Sequence, residues 1–369
     1  MRLLHVIGAR PNFIKIAPLI RALHGRHGLE QVLAHTGQHY DDAMSATFFR
    51  DLGIPEPDFN LGVGSGSHAA QTANIMRAFE PLLGQIRPDL VVVVGDVNST
   101  LACALVAAKL GCPVAHVEAG LRSRDRGMPE EINRLLTDQL ADLLFTPSRD
   151  ADVNLRAEGI PSERIHFVGN IMIDTLMACR ERTQVRDAPR AYGVEPGAYF
   201  LVTLHRPSNV DDAAQLGQIL AALAALAERR PVLFPMHPRT RGNAERFGLL
   251  ERLRGVRVLE PLGYLEMLGL LASAATVLTD SGGIQEETTA LGVPCLTLRS
   301  STERPVTVAE GTNTLVPVRS RDAIVEAAAC AGLKRSRVPE CWDGRTAGRI
   351  ADVLAAWWER RRCAVVREA

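Results

Sequence analysis

Asp96 and Glu118 each stand directly after a short, strongly apolar run, and Glu131 opens a third polar segment, Pro129-Glu130-Glu131-Ile132-Asn133-Arg134. Carboxylates that share one rim push one of their pKa values upward and can divide the work of acid and base. Each also has an ordinary structural explanation. Asp96 can cap the helix that follows it, Glu118 can pair with Arg122, and acids behind Pro129 are normal helix-start residues.

Cations and glycines form a second group. In Thr279-Asp280-Ser281-Gly282-Gly283-Ile284-Gln285-Glu286-Glu287 an apolar strand turns into a helix. Ser281, Gly282 and Gly283 let backbone N–H groups approach an anion at the positive helix end. Glu287 follows about one turn later, within reach of sugar hydroxyls, so a diphosphate carrying a ribose fits the pattern. A helix cap with a tight turn explains the same glycines. Arg10 and Lys15 open another helix, where cations gain nothing from its dipole; they either meet an anion or acidic partner or are exposed bases. His205-Arg206, His237-Pro238-Arg239 and Thr302-Glu303-Arg304 also follow apolar runs. They offer phosphate contacts or proton transfer, although either histidine can be purely structural.

The elements that must position these residues alternate between strand and helix. Strands are expected at 3–7, 31–35, 90–94, 114–117 and 143–146, and then at 199–204, 232–236, 256–259, 276–279 and 295–298. Helical spacing marks 13–23, 101–110, 132–141, 212–228, 264–271, 285–291 and 346–361. The pattern pauses around 169–196. The expected architecture is α/β and GT-B-like, with two Rossmann-type doubly wound domains and an interdomain cleft. The domains are set at 1–172 and 173–354, with a C-terminal helix from about 355 to 369 packing back on the first. In such sheets ligands sit beyond the carboxyl ends of the strands, which is where the residues above fall.

Composition narrows the function classes. Lys plus Arg number 42 and Asp plus Glu number 42, so nothing favours nucleic acid or an anionic membrane. Seven cysteines lie scattered without a CxxC pair, which argues against a disulfide framework or zinc site and for a reducing, cytoplasmic setting. The first strand begins at once, leaving no expected signal peptide, and no apolar run reaches membrane-span length. No dinucleotide fingerprint occurs; neither a metal nor a cofactor is expected.

Taken in order, Gly8-Ala9-Arg10-Pro11, Gly95-Asp96, His116-Val117-Glu118-Ala119-Gly120-Leu121-Arg122, the Pro129–Arg134 segment, His205-Arg206, Asp280–Glu287, Thr302-Glu303-Arg304-Pro305 and Gly311-Thr312 resemble the non-hydrolysing UDP-N-acetylglucosamine 2-epimerases over nearly the whole chain. The resemblance implies interconversion of UDP-GlcNAc and UDP-ManNAc through anti elimination of UDP to 2-acetamidoglucal and re-addition. It implies a homodimer. It assigns Asp96, Glu118 and Glu131 to the chemistry and His205 to the departing diphosphate. Arg10, Lys15, Arg206, His237, Ser281, Gly282, Gly283, Glu287 and Arg304 are assigned to the UDP-sugar.

Departures occur at Gln38-His39-Tyr40-Asp41 and 61–68, where relatives hold an activating second UDP-GlcNAc, so such activation is not expected. They occur also at Arg206-Pro207-Ser208-Asn209 and at Leu262 and Met267 near the expected uracil. Alternatives are a UDP-2,3-diacetamido-2,3-dideoxyglucuronate 2-epimerase, a GT-B glycosyltransferase and a hydrolysing epimerase.

Overall fold

The computed structural model describes residues 1–37 and 52–368, leaving aside the side chains of Arg10, Gln184 and residues 364–368. The Gln38–Asp41 departure therefore lies outside the described residues. The chain divides into two compact units, residues 1–175 with 340–369, and residues 176–339.

The first unit runs β1 (Arg2–Ile7), α1 (Arg10–Leu23), β2 (Glu30–His35), β3 (Phe59–Asn60), α2 (His68–Ile86), β4 (Leu90–Val94), α3 (Asn98–Lys109), β5 (Val114–Val117), α4 (Pro129–Leu140), β6 (Leu143–Thr146), α5 (Arg149–Ala157), β7 (Ile165–Phe167) and the first part of α6 (Ile171–Cys179), whose residues from Leu176 on belong to the second unit. Its seven strands lie in the order β3-β2-β1-β4-β5-β6-β7, and their pairings are parallel. Leu90 to Val94 are all buried, as an unbroken apolar run requires when a strand is covered on both faces. Between β1 and β4 the strand order reverses direction. That switch point leaves a crevice at the carboxyl ends, between the turn after β1 and the turn after β4.

The second unit contains α7 (Thr183–Ala191), β8 (Phe200–Thr203), α8 (Pro207–Val210), α9 (Ala213–Ala227), β9 (Val232–Pro235), α10 (Pro238–Arg246), β10 (Val256–Leu259), α11 (Tyr264–Ala272), β11 (Thr276–Thr279), α12 (Gly282–Leu291), β12 (Cys295–Thr297), α13 (Pro305–Ala309), β13 (Asn313–Leu315) and α14 (Arg321–Cys330). Its strand order is β10-β9-β8-β11-β12-β13, again with parallel pairings. Here the reversal falls between β8 and β11, so the turns carrying His205 and Asp280–Gly282 flank the switch point. Leu216, Ile219, Leu220 and Leu223 of α9 are buried in the core beneath.

Several boundaries differ from the sequence reading. The expected pause at 169–196 contains two helices, α6 and α7. In α7 Val185, Ala188 and Pro189 are buried among charged neighbours, too thin an apolar stripe to read as periodic. Helices α3, α4 and α12 begin about a turn earlier than expected, because their first turns are polar or glycine and carry no apolar signal.

The first unit regains the chain at Glu340 rather than near 355. Trp342 is buried and its indole donates to Pro147 O at 2.9 Å. The C-terminal helix, Thr346–Glu368, starts on Asp174, whose carboxylate accepts from Thr346 N at 3.0 Å and Ala347 N at 2.7 Å. Two N–H groups that a helix cannot satisfy itself are thereby paired. Asp174→Ala should lower the stability of the first unit by about 1–2 kcal/mol, and Asp174→Asn by less. Urea denaturation followed by circular dichroism reads this; an unchanged midpoint in Asp174→Ala would show that the carboxylate does not anchor the helix.

Candidate active site

In the first unit, parallel register puts Val94 of β4 opposite Val117 of β5. The next residues, Gly95-Asp96 and Glu118, therefore leave neighbouring strands side by side. Glu118 is buried and adopts a left-handed backbone, φ 74°. For a residue with a Cβ this costs on the order of 1–3 kcal/mol, so the surroundings must hold it. Its backbone N–H and that of Ala119 both donate to Phe145 O, at 3.1 and 3.0 Å. Its carboxylate forms an ion pair with buried Lys15 from α1. Gly95 has φ 69°, and a Cβ there would stand 3.0 Å from Lys15 Nζ, so a glycine keeps that ammonium in place. Lys15 is thus paired with Glu118, the acidic partner that the sequence offered for it as the alternative to an anion. Arg122, the other sequence candidate for pairing with Glu118, reaches Asp138 and Glu158 instead.

Arg134 of α4 links the remaining two acids. One guanidinium nitrogen pairs with Asp96 and the other with Glu131 at 2.7 Å. Glu131 also accepts from Ser123 N at 2.8 Å, Ser123 Oγ at 3.0 Å and Arg124 N at 2.9 Å. Burial alone would raise the pKa of Glu131, but these hydrogen bonds and the Arg134 charge hold it below the usual carboxylate range. Asp96 is more open, with its side chain 24 % exposed. The α3 N-cap is Val97, so Asp96 does not cap that helix. Asn133 supports the turn from below, donating to Asp96 O at 2.9 Å. Asn12 accepts from Gly8 N and Ala9 N, both at 3.0 Å, and donates to Val94 O at 2.8 Å, tying the two switch-point turns together. Arg10 is the first residue of α1; its side chain lies outside the described ones.

In the second unit Asp280, fully buried at the end of β11, organises the turn after β8. It accepts from His205 N at 3.1 Å, Arg206 N at 2.9 Å and Asn209 Nδ2 at 3.1 Å, and pairs with His205 Nδ1 at 3.0 Å. Burial opposes ionisation of Asp280, yet His205 and these donors hold its pKa low. The contact commits Nδ1 of His205 to Asp280. The His237 ring lies 5.9 Å from that of His205. His237 caps α10, its Nδ1 accepting from Arg239 N at 3.2 Å.

Ser281 is the N-cap of α12, and Gly282 and Gly283 form its first turn. A Cβ on Gly282 would stand 2.5 Å from Arg304 Nη1 and 2.8 Å from Glu303 Oε1, so only glycine leaves room for that ion pair. Arg304 bonds Glu286 at 2.9 Å and Glu303 at 2.6 Å. Glu303 also meets Arg299 at 2.9 Å and Arg206 at 3.5 Å. Burial disfavours its charge, but these arginines hold its carboxyl far below the ordinary range. Glu287 is different: burial raises its pKa to about 7, and its hydrogen-bond partner is the Tyr264 hydroxyl at 3.2 Å.

Lys15, Asp96, Glu118 and Glu131 therefore belong to one cluster, and His205, Arg206, His237, Ser281, Gly282, Gly283 and Arg304 flank the second switch point, with Glu287 farther along α12. Sequence reasoning missed Arg134, Asp138, Asp280 and Tyr264 as partners. Arg134 stands three residues after Glu131 on a helix, a spacing that signals a side-chain pair; the others meet their partners only through the tertiary fold. Among the described residues no group of three or more His, Cys, Asp and Glu side chains is arranged to hold a metal ion.

Two parallel sheets, each with a polar cluster at its switch point, define an α/β enzyme of the GT-B-like class. A family model described as UDP-N-acetylglucosamine 2-epimerase matches residues 21–355. A Methanocaldococcus jannaschii UDP-N-acetylglucosamine 2-epimerase is 42% identical over 362 residues, covering 96% of this chain and 99% of the relative. A Pseudomonas aeruginosa UDP-2,3-diacetamido-2,3-dideoxy-D-glucuronate 2-epimerase is 45% identical over 332 residues, 89% of this chain and 91% of that protein. The crystal structure of Methanocaldococcus jannaschii UDP-GlcNAc 2-epimerase in complex with UDP-GlcNAc and UDP superposes with a TM-score of 0.88 at 40% identity, covering 96% of this chain and 100% of the other. The chain belongs to the UDP-N-acetylglucosamine 2-epimerase family, whose named members are isomerases.

Two titrations test the electrostatics. Glu131 has a folded pKa below its ordinary 4.5, so its charge stabilises the fold above that pH and the benefit is lost as pH falls through the folded value. Glu131→Gln should be less stable than wild type near neutral pH, with the difference shrinking in acid; a difference independent of pH would reject the assignment. Tyr264→Phe removes the bond that lowers the Glu287 pKa, so carbon-13 NMR of labelled glutamate should show it titrating above its value of about 7. A downward shift would mean that the phenol does not stabilise the carboxylate.

Proposed function

We propose that this protein is a non-hydrolysing 2-epimerase that interconverts UDP-GlcNAc and UDP-ManNAc. The observation that carries the reading is the pair of strand-end carboxylates, Asp96 and Glu118, each matched to its own cation, in a chain of this family. One carboxylate removes the C2 proton while the C1–O bond to the β-phosphate breaks, leaving 2-acetamidoglucal and UDP. Proton return to the opposite face of C2, with UDP re-adding at C1, gives the epimer. The sequence is redox-neutral, so no nicotinamide is required.

In this reading Asp96 and Glu118 exchange the proton. Glu131 holds Arg134 and the turn at Ser123, and Lys15 tunes Glu118. Ser281, Gly282 and Gly283 present N–H groups to the diphosphate, aided by Arg10, Arg206, His237 and Arg304, while His205 attends its departure. Glu287 receives ribose hydroxyls. Preorganised donors of this kind stabilise charge as it develops. The reading extends to a cytoplasmic homodimer without nucleic-acid or membrane partners, supported by balanced charge and by the habits of the family.

The similarity to the Pseudomonas aeruginosa relative favours a second reading, the same chemistry on a diacetamido uronic acid. Incubation with each UDP-sugar in deuterated water, read by NMR, should give deuterium at C2 and UDP-ManNAc from UDP-GlcNAc. Asp96→Asn and Glu118→Gln should each slow exchange by roughly 100-fold or more. Faster turnover of the uronic acid would move the assignment to the second reading. Transfer to an acceptor without C2 exchange would replace both with a glycosyltransferase.

A further inference from the structure

Behind the two carboxylate turns lies a chain of fully buried polar groups that the proposed chemistry does not use. Asp138 projects from α4 one helical turn beyond Arg134. Its Oδ1 meets His116 Nδ1 at 2.6 Å, and its Oδ2 accepts from Gly120 N at 3.1 Å and Arg122 Nη2 at 2.7 Å. His116 Nε2 donates to Gly95 O at 2.8 Å. Neither the His116 nor the Asp138 side chain has any exposed surface. Arg122 continues the chain outward to Glu158, at 2.8 and 2.6 Å.

The endpoints of this chain are informative. Gly95 O belongs to the turn that carries Asp96, and Gly120 N closes the turn that begins with Glu118. A buried charged pair is usually no more stabilising than an apolar pair of the same volume. Its placement here needs another reason, and the left-handed backbone of Glu118 supplies one, because such a conformation persists only when its neighbours over-determine it.

We propose that His116 and Asp138 are a positioning pair for the proton-transfer step. They tie Gly95 and Gly120 to the same helix that carries Glu131 and Arg134, and so fix the separation and aim of Asp96 and Glu118. The pair touches neither substrate nor reacting atoms and acts only through the two carboxylates. The proposal rests on the reading of Asp96 and Glu118 as proton-transfer groups. Wild-type protein that fails to exchange C2 hydrogen strikes that reading and the proposal with it; wild-type exchange followed by the variants below tests the pair alone.

The experiment uses the whole chain and three variants: His116→Gln, Asp138→Asn and Glu158→Gln. One amide can replace one of the two bonds made by His116, not both. For each protein, UDP titration counts the binding-competent sites, and deuterium incorporation at C2 of UDP-GlcNAc gives kcat per site and KM. Displacement of reacting groups by a fraction of an ångström lowers kcat with little effect on binding. His116→Gln and Asp138→Asn should each lose roughly tenfold to a hundredfold in kcat per site, with KM within about threefold. Glu158→Gln, at the outer end, should melt earlier but keep its kcat per site.

A merely structural pair would lower the number of competent sites and leave kcat per site at the wild-type value, and that result overturns the proposal. An equal loss of kcat in Glu158→Gln also overturns it, because the effect would then be general loosening. Should Asp138→Asn yield no UDP-binding protein, the volume-matched His116→Gln decides between the same outcomes.

Discussion

A carboxylate taken out of water must find a positive charge or a set of N–H donors, and this requirement shapes both polar clusters. Glu118 has Lys15, Asp96 and Glu131 share Arg134, and Asp138 lies between His116 and Arg122. In the second unit Asp280 gathers His205, two backbone N–H groups and Asn209, and Glu303 gathers three arginines. The strands deliver acids to their carboxyl ends, but the helices deliver the counter-charges: α1 brings Lys15 and α4 brings Arg134. The fold and the electrostatics are therefore one problem, since moving either helix would strand an acid in a medium that cannot solvate it.

Glu287 is the instructive exception. It faces a phenol and the neighbouring carboxylate of Glu286; burial, aided by the Glu286 charge and opposed by the Tyr264 hydrogen bond, raises its pKa to about 7. A carboxyl poised near neutrality can accept or donate a hydrogen bond, which suits a group proposed to meet sugar hydroxyls better than one proposed to move a proton from carbon. Glu303 lies at the other extreme. Its surplus of arginines leaves positive charge beside the first turn of α12, where an incoming anion would also find the unpaired helix N–H groups.

Much of this was legible in the chain before any coordinates. The Val-rich run at 90–94 admits little but a strand covered on both faces, and the places of the acids and glycines at the ends of parallel strands follow from periodicity alone. What sequence did not disclose was pairing. Lys15 reads as facing either an anion or an acidic partner, and nothing local says that the partner is Glu118, about a hundred residues later. Arg122 reads as the partner of Glu118 because it is near in sequence, yet the left-handed turn at Glu118 leaves it with Asp138 and Glu158. Asp280 sits within a motif dominated by its glycines, and its role depends on β8 and β11 being neighbours, a fact of topology. Helix α7 was illegible for a different reason: Val185, Ala188 and Pro189, buried among charges, do not make a stripe.

The pairings also separate the three acids of the first unit into different chemical types. Glu131 receives donors on both oxygens and has a lowered pKa, which makes it a weak base and a strong anchor. The proposed epimerisation at C2 removes a proton from one face and returns it on the other, a task suited to two groups in different surroundings. Asp96, partly open and paired with Arg134, and Glu118, enclosed and paired with Lys15, differ in that way. Their cations differ in kind as well. A guanidinium in this setting cannot release a proton, whereas an ammonium can pass one on. In the proposed reading Arg134 orients Asp96 and balances its charge, while Lys15 balances that of Glu118.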